Sequence, residues 1–332
     1  MPSFSDSMAF VGPQGSCPLF EVWGRPQVKL MHLTSAPPWC QEYKHALAAH
    51  RMFVKDALSN EGVYCVAADS LNSSSTGLLF GMQHTPKSMT AARMLELQKG
   101  GLRVMALAYD GPTEYGCGFA SAKDTGLTDR GCLIIEWMAR CGVLLDLAHA
   151  GRRTARDALE FINREGMHTI PMASHIGCDA VFSHPRNFPD DLLRRITDMG
   201  GYVGMYAITF YTGNKGGDYI AAISKHIAHA VHVCGSDSVG IGSDCPHIKM
   251  TAKEAEKNYN KMVRALKTGG RFGEYFPDRP PEFIVGGETL LSTMAAEISK
   301  HLFPFVMERV AEKRVFGVSF KNYLRRALPQ GN

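Results

Sequence analysis

Short β-rich runs alternate with longer amphipathic segments from Gly77 to Gly242, and no other feature of the sequence limits the possible folds so tightly. Parallel strands need a crossover of a dozen or more residues, which a helix laid back over the sheet supplies. The runs Gly77–Met82, Leu102–Ala108, Val143–Leu147, Thr169–Ala173, Tyr202–Met205 and Ser238–Gly242 read as strands, with weaker candidates at Ser7–Val11 and Val28–Leu33. Helical patterns at Thr128–Arg140, Arg153–Arg164, Asp190–Met199 and Tyr219–Cys234 fill the gaps. Gly101, Gly142 and the pair Gly200-Gly201 stand where a helix must stop before the next strand. Eight strands in this rhythm predict an α/β protein, a (β/α)8 TIM barrel. Beyond Lys249 the pattern predicts extra C-terminal helices, interrupted by a Gly/Pro-rich loop at Gly269–Pro281. With no internal repeat and no boundary signal, residues 1–332 read as one domain.

Hydrophobic residues form 45% of the chain and charged residues 20%, enough apolar material for one continuous core, which excludes a disordered chain. The net charge of +4 is dispersed among acids, so nucleic acid is not an expected partner. Met1–Gly15 lacks the basic start and apolar run of a secretory signal, and no stretch reaches the roughly 20 apolar residues of a membrane helix. The expectation is a soluble, cytoplasmic protein. Nine cysteines with no Cys-x-x-Cys pair read as reduced thiols. Asn72-Ser73-Ser74 matches a glycosylation acceptor but reads as a plain loop without a secretory route.

A parallel barrel collects its functional residues at the C-terminal ends of its strands. Those ends carry Gln83-His84, Tyr109-Asp110, His149, His175 and Asp244. Neighbouring strands lie about 4.8 Å apart, so imidazoles at two adjacent ends can share one metal ion about 2.1 Å from each. Taken singly, His149 also reads as a hydrogen-bonded structural residue, and Asp244 as a loop cap. Small residues before Asp244 allow close approach, and its carboxylate suits a proton shuttle, an amine contact or a further ligand. Arg186 offers a fork for a substrate carboxylate or a surface ion pair, and Asn187 a cap for the helix near Pro189. His226, His229 and His232 read as a solvated or interface face of one helix. His84 and Cys245-Pro246-His247 are candidates to line the pocket.

In their order these segments resemble the membrane dipeptidase (renal dipeptidase) family of metallohydrolases. Gly126-Leu127-Thr128-Asp129-Arg130-Gly131 followed by Gly142 to His149 resembles the approach to that family's first imidazole ligand, and Pro171–His175 resembles the strand carrying the second. His184-Pro185-Arg186-Asn187 is similar to its Arg-Asn signature, and Val239–Asp244 to its Gly-rich last strand. Phe316-Gly317 and Asn322-Tyr323-Leu324-Arg325 fit its closing helix. The resemblance implies His149 and His175 as zinc ligands, Arg186 as the group holding a substrate carboxylate, and Asp244 as a catalytic residue. It also implies a homodimer. The family's two zinc ions share a bridging Glu, and one ion takes a His-x-Asp pair after the first strand. Here Gln83 stands in the place of the Glu, Asp6-Ser7-Met8-Ala9-Phe10 has apolar residues in the His-x-Asp places, and Tyr109 replaces a His that stabilises the tetrahedral intermediate. Two dications about 3.5 Å apart need bridging anions, so at most one zinc ion is expected.

The functional expectation is hydrolysis of an amide bond in a small dipeptide-like substrate. His149 and His175 hold the metal, Asp244 and Tyr109 act in catalysis, and Arg186, Gln83, Asn187 and His84 meet the substrate. The alternative is a repurposed barrel without metal, either an enzyme of another reaction class or a non-catalytic small-molecule binder. Loops at Phe210–Asp218 and Gly269–Pro281 are expected to close over the pocket.

Overall fold

A computed structural model describes residues 4–10, 28–67, 71, 75–207, 211–213, 219–246, 253, 256–257, 260, 264 and 313–329. The Asn72-Ser73-Ser74 acceptor, His247, the loop at 269–281 and most of the loop at 210–218 lie outside these residues. The strands are β1 (Phe4–Phe10), β2 (Val28–Thr34), β3 (Val63–Cys65), β4 (Thr76–Met82), β5 (Leu102–Ala106), β6 (Leu144–Asp146), β7 (Met172–Ile176), β8 (Tyr202–Met205), β9 (Val239–Ile241) and β10 (Cys245–Pro246). All pair in parallel in the order β1-β2-β4-β5-β6-β7-β8-β9. Beyond a break at Gly242–Asp244 the chain resumes as β10, which pairs with β1 at Ala9 and Phe10 and brings the sheet round on itself. The eight expected strands thus form a (β/α)8 barrel, and β3 adds to the N-terminal half of β4.

Local chemistry explains where elements start and stop. Helix α1 spans Tyr43–Leu58, α2 Ala91–Lys99, α3 Asp129–Cys141, α4 Arg152–Arg164, α5 Asp190–Asp198 and α6 Tyr219–Cys234. The Thr128 side chain accepts a hydrogen bond from the Gly131 N–H at 3.0 Å, and Gly142 ends α3 in the left-handed region at φ 66°. The seventh strand starts three residues later than Thr169, because Pro171 has no N–H to offer the ladder. The chain ends in a π-helical turn, Arg314–Val318, and helix α7, Ser319–Ala327. No helix among the described residues is long and apolar enough to cross a membrane.

The three histidines of α6 do not share a face. Three-residue steps rotate the side chain by about 60° each, so the trio fans from core to solvent. His226 is buried and accepts the Cys178 N–H at 2.9 Å, His229 pairs with Asp190 at 2.7 Å, and His232 is exposed.

The barrel interior is layered. At its base Leu30, Leu79, Val104, Leu144, Met172 and Tyr202 pack against Phe320, Tyr323 and Leu324 of α7, which plugs the end away from the site. Above them lies a polar layer of Ser7, His32, Asp146 and Ser174, all buried. Ser7 Oγ reaches the carbonyls of Ser174 at 2.6 Å and Ile241 at 2.9 Å, crossing from β1 to two other strands. Such crossings demand glycine opposite. A Cβ on Gly204 would lie 2.0 Å from the Ser174 carbonyl oxygen and 2.3 Å from Ser7 Oγ. Gly204→Ala is therefore expected to cost about 3 kcal/mol, as overpacking against backbone that cannot retreat, read as a lower urea midpoint with unchanged slope.

Candidate active site

His149 stands three residues past the end of β6, and His175 is the penultimate residue of β7, its neighbour in the ring. His149 is followed at once by Ala150-Gly151 and α4, whose N-cap residue, Gly151, has no side chain to offer. Asp124 from the preceding loop supplies the cap, accepting the N–H groups of Arg153 at 2.7 Å and Thr154 at 3.2 Å. The same loop docks on the site strand, with the Phe119 N–H on the His149 carbonyl at 2.9 Å.

The two imidazoles meet tip to tip, Nε2 to Nε2 at 2.9 Å. Both are buried. On its far side His149 Nδ1 faces Asp110 Oδ1 at 3.3 Å, a carboxylate acceptor that keeps the proton on Nδ1. His175 Nδ1 lies 2.7 Å from Ser174 Oγ, whose own hydrogen is donated to the Asp146 carboxylate. That hydroxyl can only accept from His175, so His175 too is protonated on Nδ1. Two bare lone pairs therefore point at each other. Burial, reinforced by the Arg186 guanidinium, holds both imidazoles well below the usual histidine pKa, so a proton between them is disfavoured. Neutral imidazoles oriented from behind by hydrogen bonds are the form in which histidine ligates a cation. Two nitrogens about 2.1 Å from a tetrahedral ion would stand about 3.4 Å apart, so the pair would have to open by roughly half an ångström to hold one.

Asp244 approaches from the break between β9 and β10, with Oδ2 3.9 Å from His175 Nε2. Its backbone lies in the left-handed region at φ 49°, a conformation rare for a non-glycine residue, and its N–H is tied to the Met8 carbonyl at 2.8 Å. Burial pushes its carboxyl pKa up to about 7, against the opposing pull of Arg186. Tyr109 stacks on the His149 ring with centroids 4.1 Å apart. Burial raises its phenol well above its ordinary pKa, so it stays a donor. Arg186 is 1% exposed and lies between the rings of Phe119 and Tyr206, 5.5 and 5.8 Å from their centroids. One terminal nitrogen donates to the Ala148 carbonyl and the other to the His175 carbonyl at 2.9 Å, while Nε is buried with no partner among the described residues. Arg186 is thus no surface ion pair.

The remaining candidates make hydrogen bonds within the protein. Asn187 does not cap α5, whose N-cap is Pro189. Its amide donates to the carbonyls of Phe182 at 2.7 Å and Tyr211 at 3.1 Å, and its oxygen accepts the Tyr206 hydroxyl. His84 is buried and anchors the loop after β2 through the Cys40 carbonyl at 3.0 Å. Gln83 donates to Thr34 Oγ1 at 2.8 Å and lies 3.8 Å from Met8 Sδ. The β1–β4 side of the site is packed by Met8, Thr34 and Gln83, none of which brings negative charge. Among the described residues, no group of three or more His, Cys, Asp or Glu is disposed to hold a metal ion.

Residues absent from the sequence-derived set prove central. Asp146, Ser174, Asp6 and Ser243 are buried polar groups that hold the strand ends, and His32 lies in the same layer with Nδ1 on the Ser7 carbonyl at 2.7 Å. The available signal is an acid inside an apolar run, Leu144-Leu145-Asp146-Leu147, since a carboxylate buried there must be matched by donors.

The family profile described as membrane dipeptidase (peptidase family M19) matches residues 70–271. Dipeptidase verJ of Clonostachys rogersoniana is 30% identical over 164 residues, covering 48% of this chain and 40% of the relative. The chain spans about two fifths of the length of the curated relatives it matches. Among solved structures, an amidohydrolase from Pseudomonas aeruginosa superimposes with a TM-score of 0.73 at 19% identity, covering 98% of this chain and 97% of the other. A metallo peptidase from Rhodobacter sphaeroides, liganded with a phosphinate mimic of the dipeptide L-Ala-D-Ala, gives 0.71 at 15% identity, covering 98% of this chain and 99% of the other. These structural likenesses establish the barrel, and the profile match over more than half of the sequence establishes that the chain belongs to the membrane dipeptidase family.

Proposed function

We propose that this protein hydrolyses the amide bond of a small dipeptide-like substrate and uses a single divalent metal ion, zinc by family habit, held by His149 and His175. The observation that carries this reading is the pair of buried imidazoles facing each other Nε2 to Nε2 at 2.9 Å. An ion held by these two residues would supply Lewis acidity for the scissile carbonyl and the attacking water. Asp244, 3.9 Å from His175 Nε2, takes the proton from that water and passes it to the leaving amine. The Tyr109 phenol donates a hydrogen bond to the oxygen that becomes negative. Arg186 places fixed positive charge beside the pocket, and its unpartnered Nε is the donor left for a substrate carboxylate. The dipeptide mimic bound by the Rhodobacter sphaeroides neighbour supports the substrate class.

A second ion finds no anionic ligand at Gln83, Met8 or Thr34 on the β1–β4 side, which supports a mononuclear site. Elemental analysis of protein purified without chelators is expected to give one metal per chain, and His175→Ala to remove both the metal and turnover in a dipeptide screen. Hydrolysis that persists in protein stripped of metal would overturn the reading. Protein that takes up no ion yet binds a small molecule would instead establish the repurposed barrel, which the neutral packing of Met8 and Gln83 favours.

Asp244 also links function to stability. Its carboxyl is raised in the folded protein to about 7, against about 3.9 for an unfolded Asp. The folded state thus holds a proton that the unfolded state has released, and the metal-free protein loses stability as pH rises from about 4 through 7. Asp244→Asn is expected to raise the urea midpoint of chelator-treated protein, by more at pH 8 than at pH 5, with a ceiling on the order of 4 kcal/mol. An equal gain at both pH values would contradict this assignment.

A further inference from the structure

The carboxylate of Asp146 is buried inside the barrel, with 2% of the residue exposed. Its Oδ1 accepts the N–H groups of Ala148 at 3.0 Å and Ser174 at 2.9 Å. Its Oδ2 accepts the Ser174 hydroxyl, and that oxygen faces His175 Nδ1 at 2.7 Å. A second acid repeats the arrangement on the opposite side of the ring. Asp6 Oδ1 accepts the N–H groups of Met8 at 3.1 Å and Ser243 at 2.8 Å, and Oδ2 accepts the Ser243 hydroxyl at 2.6 Å. In each clamp an acid binds the N–H two residues on, then the N–H and hydroxyl of a serine in a neighbouring strand, as with Ser174, or just past one, as with Ser243. In each the residue after that serine belongs to the site, His175 in one case and Asp244 in the other. In the first clamp the Ser174 hydroxyl goes on to meet an imidazole nitrogen, so this clamp can dictate where a proton sits.

We infer that Asp146 is a positioning residue which, through the Ser174 hydroxyl, fixes His175 in the Nδ1–H tautomer and thereby keeps its Nε2 lone pair bare toward His149. A hydroxyl carries one hydrogen. While the carboxylate takes it, Ser174 Oγ offers His175 only lone pairs, and the imidazole hydrogen must lie on Nδ1. Asp146→Asn reverses this with little change of shape. The amide oxygen still accepts the two backbone N–H groups, but the NH2 now donates to Ser174 Oγ. The serine hydrogen then turns to His175 Nδ1, and the imidazole hydrogen moves to Nε2, where it blocks the position a cation needs. The use of His175 as a ligand rests on the function proposed above, whereas the tautomer itself does not.

The experiment is a two-bond 1H–15N spectrum of histidine-labelled full-length protein with chelator present, with His175 assigned by the signal lost in His175→Gln. The wild-type protein is expected to show the Nδ1–H pattern, Asp146→Asn the Nε2–H pattern, Ser174→Ala a mixture, and Ser174→Thr, which keeps the hydroxyl, the wild-type pattern. Zinc titration by calorimetry is expected to weaken about 10- to 100-fold in Asp146→Asn, the usual effect of losing a hydrogen-bond partner behind a metal-binding histidine. An Nε2–H pattern in the wild-type protein overturns the inference, as does an unchanged pattern in Asp146→Asn. Should Asp146→Asn fail to fold, the contrast between Ser174→Ala and Ser174→Thr decides alone, and identical spectra for those two overturn it. If the tautomers behave as expected but wild-type protein binds no zinc, the relay stands and the metallohydrolase reading falls.

Discussion

A carboxylate placed inside a barrel has to be met by donors, and the Asp146 side chain shows what that constraint builds. Its hydrogen bonds to the Ala148 and Ser174 N–H groups join the ends of β6 and β7, where the strand ladder itself is short, with one registered pair between Asp146 and Met172. The turn that carries His149 and the strand end that carries His175 are thus held in place by side-chain bonds more than by ladder bonds. Asp6 does the same for the break before Asp244. Removing either acid would leave several buried donors without partners, a penalty of about 1–3 kcal/mol for each.

The polar layer sets its own demands on the strands around it. Side chains as large as His32 and Tyr202 cross the interior only because glycines face them: a Cβ on Gly81 would lie 2.1 Å from His32 Nε2, and one on Gly240 would lie 2.2 Å from the Tyr202 hydroxyl. The apolar base beneath, closed by α7, supplies the hydrophobic burial. Stability and chemistry are thereby separated along the barrel axis, the usual division in this fold.

At the rim the site has two unlike halves. The β6–β7 half presents neutral, oriented imidazoles, together with a raised Asp244 carboxyl and a guanidinium held by two backbone carbonyls. The β1–β4 half fills the equivalent space with Met8, Thr34 and Gln83 in mutual contact. Packing and the neutral Gln83–Thr34 hydrogen bond hold that half together.

Much of this was legible in the sequence. The alternation of β-rich runs and amphipathic helices, stopped at Gly101, Gly142 and Gly200, specifies a parallel barrel because strand and helix periods and glycine's access to positive φ are local properties. The strand-end positions of His149, His175 and Asp244 were legible for the same reason. The polar layer was not, because whether Asp6, Asp146, Ser174 or His32 faces the barrel axis depends on register between strands distant in the chain. The fan of His226, His229 and His232 was misjudged because only the packed helix shows which arc meets the core. The sequence by itself determined the barrel and which ionisable residues reach its rim. Only the tertiary structure decided that His149 and His175 meet Nε2 to Nε2, since that depends on how the two strand ends are set and on which hydrogen-bond partner stands behind each imidazole.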